Sequence, residues 1–301
     1  MSHVVLLLGM CQLTGPSTFS PSPATDAPAM QTAPLAEIDW YTRYEDAMRV
    51  AKAENKMLFL WFQAPAGGRE SDRFQAVSLR SAKVRRLLRQ YVAVKLPTNA
   101  RITVDGERIE LLKHAAFGEL QGRPGVAIVD FAHRKAEQYG HVVTALPFTP
   151  GKFYRFRPEH LAVVLDLPPG TITQRTLVFA VRIHPEKPAS TLGKVDRTLV
   201  QEAKSHSYYQ ARICNQGHHR WGQRFPRLAA LLPFGLRAQE IVAESWPHET
   251  LVDAAVDVVD SWRHSSGHWS AVYHRQPRFG YDMKRGVNGI WYATGLFGNY
   301  Q

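Results

Sequence analysis

The chain has 301 residues, 45% of them hydrophobic and 21% charged, a composition that excludes a wholly disordered, collagen-like or polytopic membrane chain and leaves room for two domains. Lys and Arg number 37 against 26 Asp and Glu, a net charge of +11, and the excess is even: 21 basic and 15 acidic residues over 36–170, 16 and 10 over 171–301. An even excess favours polyanions in general, such as acidic polysaccharide, anionic lipid headgroups or nucleic acid, and marks no sequence-specific nucleic-acid-reading face.

Val4 to Leu8 is a short apolar run, below the ~20 residues a spanning helix needs, so no transmembrane span is expected. It has the character of a signal-peptide core, yet only Met1, Ser2 and His3 precede it, and a misassigned start fits the segment equally. Leu8 to Cys11 loosely resembles a lipoprotein cleavage box, with Met10 a poor residue before the cysteine. Residues 14–34 are rich in Pro, Ser, Thr and Ala and almost uncharged, the composition of a tether. Cys11 and Cys214 are the only cysteines, too few for a disulfide framework or a cysteine-rich zinc site.

Helical spacing of Tyr44, Ala47, Met48 and Ala51 predicts a helix over 39–55, and the apolar run 57–62 predicts a central strand covered on both faces. A turn follows at 63–68, then a helix over 69–90 and strands at 91–96 and 126–131. Arg80, Lys83, Arg86 and Arg89 lie at near-helical spacing and read first as a solvated face, secondly as a polyanion contact. Alternating strands and helices give an α/β domain over 36–166. The order of "MLFLWFQA", "YVAVKL" and "GRPGVAIVDF" resembles the thioredoxin-like family, in which Pro124 takes the place of the cis-proline before the strand. The resemblance places a Cys-x-x-Cys after the first central strand, where this chain has Ala64 to Arg69 and no cysteine. Dithiol exchange needs two thiols, so the domain is expected to be redox-inactive, a scaffold or docking surface.

A last helix of that domain is expected over 158–166, and residues 167–170 break it and form the boundary to a second domain, 171–301. Helices are expected over 173–183, ended before Pro185, and over 196–212, with Leu199, Ala203, His206 and Gln210 on one stripe. Five segments then resemble, in order, the CAP superfamily of cysteine-rich secretory, antigen 5 and pathogenesis-related proteins, also called SCP-like: residues 201–211, 217–224, 238–243, 259–268, and the terminal strands around 279–281 and 291–298.

That resemblance implies an α-β-α sandwich beside the α/β thioredoxin-like domain, mostly extracellular membership, and a cleft of two histidines and two glutamates that binds a divalent metal in some members. The matching positions are His218, with His219 as its substitute, Glu240 and His268. Imidazole and carboxylate suit zinc and similar ions. The second glutamate has no counterpart, Ser265 standing in its place, and Glu244 supplies a carboxylate one turn past Glu240 if a helix continues there. A plain hydrogen-bonded His–Glu cleft explains the same residues without a metal. Ser205, Ser265 and Ser266 adjoin histidines without an acidic orienter or a nucleophile turn, so a serine hydrolase is not expected. The function expected is that of a non-catalytic, exported (secreted or periplasmic) protein binding a divalent metal, lipid or glycan. The alternative is a metal-assisted hydrolase in which Glu240 or Glu244 activates water.

Overall fold

The computed structural model describes residues 37–64, 66–104 and 106–300; the signal, lipoprotein and tether readings lie outside them. The elements are β1 (Trp40–Tyr41), α1 (Tyr44–Glu54), β2 (Met57–Gln63), α2 (Arg69–Arg73), α3 (Ala82–Leu88), β3 (Tyr91–Pro97), β4 (Arg101–Val104), β5 (Glu107–Glu110), β6 (Gly125–Val129), β7 (Val142–Pro147), α4 (Pro158–Leu165), α5 (Ile172–Ile183), β8 (Lys194–Val195), α6 (Arg197–Ile213), α7 (Trp221–Leu231), β9 (Arg237–Glu244), α8 (Leu251–Arg263), α9 (Ser266–Tyr273), β10 (Arg278–Arg285) and β11 (Trp291–Asn299).

In the first half a mixed sheet runs β1-β3-β2-β6-β7, with β1, β3 and β2 parallel and β6 and β7 antiparallel to their neighbours. The apolar run of β2 is central and buried from Leu58 to Phe62. The helix expected over 69–90 is instead broken: α2 passes into a π-helical turn at Phe74–Ser78, and α3 starts afresh at Ala82. The π turn seats Phe74 against Trp61, Phe148 and Phe156, an aromatic cluster that an uninterrupted α-helix would have to re-register. Arg80, Lys83, Arg86 and Arg89 all face solvent.

The second half is a four-stranded sheet, β8-β10-β11-β9, with helices on both faces. α6 packs across β10 and β11, while α5, α8 and α9 lie against the sheet from the other side. Glycine lets α6 approach so closely: a Cβ on Gly280 of β10 would lie 2.4 Å from the Val200 backbone nitrogen. Asp196 caps α6, its Oδ1 accepting from the Thr198 (2.9 Å) and Leu199 (3.2 Å) amides, and Cys214 ends it in the left-handed region at φ 50°.

One apolar cluster joins the halves, from Phe59 and Phe74 through Phe156 and Leu165 to Leu177, Val258 and Trp262. Arg175 of α5 crosses the same seam, 1% exposed. Its guanidinium donates to the carbonyls of Val143, Val164, Leu167 and Pro168 and to Thr144 Oγ1. The end of α4 and the turn after it leave the Val164, Leu167 and Pro168 carbonyls without helix partners, and one arginine satisfies them together with Val143 of β7.

Candidate functional site

The polar stripe of α6 builds the site. Leu199, Glu202, Ala203, His206, Ser207, Gln210 and Ala211 are buried at a spacing of three and four, so one helix face carries both core and chemistry. Ser207 Oγ donates to the Asp282 carbonyl (2.9 Å), and Gln210 Nε2 donates to Thr294 Oγ1 (3.0 Å), pinning α6 to β10 and β11. The other end of Gln210 accepts from the Gly217 amide (3.1 Å), and His206 Nε2–H donates to the Gly217 carbonyl (2.9 Å). Both contacts fix the backbone immediately before His218.

His218 Nδ1–H donates to Glu240 Oε1 at 3.0 Å, and the ring centroid of His268 lies 5.7 Å from that of His218. The three expected residues therefore converge from the α6–α7 loop, from β9 and from the first turn of α9. Glu240 is buried and Arg224 of α7 binds its Oε2; His206 Nε2 stands 3.8 Å from Oε1. Arg224 Nε also donates to Glu202 Oε1 (2.5 Å), whose other oxygen is held by Arg227. The result is a chain of contacts, Arg227–Glu202–Arg224–Glu240–His218, ending beside His268.

Electrostatics set the protonation of this chain. Burial would raise the Glu240 carboxyl, but hydrogen bonds from His218 and Arg224 and the charge of Arg224 hold it below the usual carboxylate range. Burial pushes both His206 and His268 down, so both imidazoles are neutral at neutral pH. With its Nδ1–H given to Glu240, the half-exposed His218 ring turns Nε2 away from the carboxylate.

His219, the substitute for His218, points elsewhere. Its Nε2–H donates to the Asn215 carbonyl (3.2 Å), its ring meets Tyr209 edge-on, and it lines a groove of ≈ 740 Å³ between α6 and α7 together with Arg197, Arg220, Arg224 and Arg227. Glu244 does not stand one helical turn from Glu240. Residues 237–244 form a strand, so four residues advance about 13 Å, and Glu244 lines a separate pocket with Trp246, Asp257 and His264. Ser265, in the place of the missing glutamate, is the residue before α9.

The donors present do not fit the two-histidine, two-glutamate metal set. Both Glu240 oxygens are engaged by neighbours, the second carboxylate is distant, and among the described residues no group of three or more His, Cys, Asp or Glu is placed to hold a metal ion. Arg224, Glu202 and His206 are the site residues that sequence reasoning missed. The signal was present in part, since His206 lies on the predicted stripe of the 196–212 helix with Glu202 one turn before it, and Arg224 closes the segment that begins at Gly217.

Among the described residues no helix is long and apolar enough to cross a membrane. No family model matches the chain, and no curated protein matches it. Solved structures similar to parts of it include an outer surface protein from Borrelia burgdorferi (20% identity, 36% of this chain and 78% of that one, TM-score 0.30). A thioredoxin from Thermus thermophilus is 17% identical over 44% of this chain and 86% of its own, at a TM-score of 0.32. A DsbH oxidoreductase is 18% identical over 42% and 86%, at a TM-score of 0.27.

Proposed function

We infer that the chain is a non-catalytic, exported binding protein: a redox-inactive thioredoxin-like half serves as scaffold, and a CAP-like half presents the His218–Glu240–His268 cleft to a ligand. The scaffold reading is supported by the mixed five-stranded sheet and by the absence of cysteine between Ala64 and Arg69. The CAP-like reading is supported by helices on both faces of the β8-β10-β11-β9 sheet and by the convergence of three residues spaced over fifty positions.

One observation carries the functional conclusion. Glu240 is a buried carboxylate with Oε1 on His218 and Oε2 on Arg224, which orients an imidazole and holds both oxygens in charge-assisted or imidazole contacts that lower their basicity. The cleft therefore offers two imidazole edges at its rim, Nε2 of His218 and the ring of His268, a pattern suited to the hydroxyls of a glycan. The test is titration of the full chain with neutral and acidic oligosaccharides, reading imidazole nitrogen resonances, with zinc alone as a separate arm. A glycan that moves His218 and His268 and loses at least tenfold in affinity in His218→Ala and in His268→Ala supports the reading. Stoichiometric zinc binding lost in both variants replaces it with a metal site, and ester or peptide hydrolysis abolished by Glu240→Gln replaces it with an enzyme.

A further inference from the structure

Residues 203–239 contain six Lys or Arg and no Asp or Glu, a local concentration hidden by the even charge of the whole chain. This stretch includes α7 and the turn into β9, and the turn holds apolar side chains in water. Phe234 is 105% exposed and Leu231 61%, and Tyr300, 71% exposed, has its ring beside Gly235. The display is rigid. The Leu236 amide donates to the Pro233 carbonyl (3.1 Å), Gly235 takes the positive φ of 84° that a type II turn needs at its third residue, and Leu232 and Leu236 are buried on either side. Arg197 and Arg227 line the groove that ends at Leu231, and exposed Arg237 opens β9 opposite Asn299, next to Tyr300. The acid in the groove, Glu202, is already bound by Arg224 and Arg227.

We propose that this face docks on an anionic lipid bilayer, Phe234 and Leu231 entering the boundary between headgroups and acyl chains while Arg197, Arg227 and Arg237 meet lipid phosphates. A soluble polyanion accounts for the arginines but not for a turn built to hold a phenylalanine outward, and an apolar protein partner accounts for the phenylalanine but not for the basic collar. A bilayer with anionic headgroups matches both, because apolar insertion and surface charge add. The face lies apart from the His218–His268 cleft and is joined to it only through the Arg227–Glu202–Arg224–Glu240 contacts, and vesicle binding and glycan titration test the two proposals separately.

The experiment is co-sedimentation of the full chain with vesicles of phosphatidylcholine alone and of phosphatidylcholine mixed with phosphatidylglycerol. Binding is expected to the mixed vesicles only, to weaken with salt as exposed charges are screened, and to fall about tenfold in Phe234→Ser. Arg237→Gln is expected to lower it about fivefold, the equivalent of ~1 kcal/mol per basic residue at the surface. Both side chains are exposed, so an unchanged thermal midpoint confirms that folding is intact. Absence of sedimentation with mixed vesicles overturns the proposal. So does a Phe234→Ser variant that binds as well as the parent while Arg237→Gln does not, which identifies a soluble-polyanion site, or equal binding to both vesicle types.

Discussion

Arg224 holds two buried carboxylates, and replacing it tests the electrostatic construction of the site. Arg224→Met keeps the length of the apolar stem and removes the guanidinium from Glu240, whose side chain is 1% exposed, and from Glu202, at 10%. Removing one partner of a buried ion pair costs about 3–5 kcal/mol, chiefly as the penalty of an uncompensated charge. With an unfolding entropy of about 2.1 cal/mol/K per residue over the unit Leu35–Gln301, that loss lowers the thermal midpoint by about 5–9 °C. The pH dependence changes sign as well. In the parent, the depressed Glu240 carboxyl contributes stability that is present above the unfolded value near 4.5 and is lost as pH falls through the folded one. Without Arg224, burial dominates and the folded carboxyl rises above its unfolded value, so stability declines as pH climbs from 4.5 toward neutrality. Thermal denaturation of both proteins at pH 5 and pH 7 therefore shows a larger deficit at pH 7, and Glu240→Gln in the Arg224→Met background recovers part of it. A deficit below about 1 kcal/mol at pH 7, or one that does not shrink at pH 5, refutes the account of a desolvated, arginine-held carboxylate.

Gly280→Ala drives a Cβ into the α6 backbone and is expected to cost about 2 kcal/mol or more and to shift the imidazole resonances of His206, whereas Gly222→Ala, on an exposed turn of α7 with open space around it, is expected to gain about 0.5–1 kcal/mol in the same melts. Glu249, raised to about 7 by burial and then by its hydrogen bond and charge contact with Asp257, costs stability as pH rises from 4.5 through that value; Glu249→Gln should melt higher than the parent at pH 8 and no higher at pH 4. Arg175→Lys, one ammonium in place of a fork facing five acceptors, is expected to lose about 3 kcal/mol and to expose the 167–170 segment to limited proteolysis.

The elements read well wherever local pattern and tertiary role agree. The apolar run 57–62 lies in a central strand, and the stripe of Leu199, Ala203, His206 and Gln210 is buried on α6, because continuous and 3.6-residue periodicities report two-sided and one-sided burial directly. Glu240 shows where that logic stops. Its segment is short and apolar, equally at home in a helix or a strand, and the choice of strand moves Glu244 from a candidate partner to another pocket. Phe74 lies in a stretch compatible with continuous helix, and only the aromatic side chains it meets from Trp61, Phe148 and Phe156 explain the π turn. The pairing of Glu240 with Arg224 and of Arg224 with Glu202 joins three elements, and no single-segment pattern carries such a contact.

The position of Arg224 gives the two faces of the second half a shared wall. On one side its guanidinium borders the groove with Arg197 and Arg227, and on the other it holds the carboxylate that orients His218. An anion entering the groove competes with Glu202 for Arg224 and Arg227, and any slackening of the Arg224–Glu240 contact frees Oε2 of the carboxylate whose Oε1 holds the His218 ring. Occupancy of the groove should thus be felt at the cleft through two ion pairs, without movement of α6, which Ser207, Gln210 and the close approach at Gly280 lock to the sheet. The first half contributes the carbonyls of Val143 and Val164 that Arg175 binds and the core around Phe156 and Leu165, contacts that fix α5 and the sheet it covers.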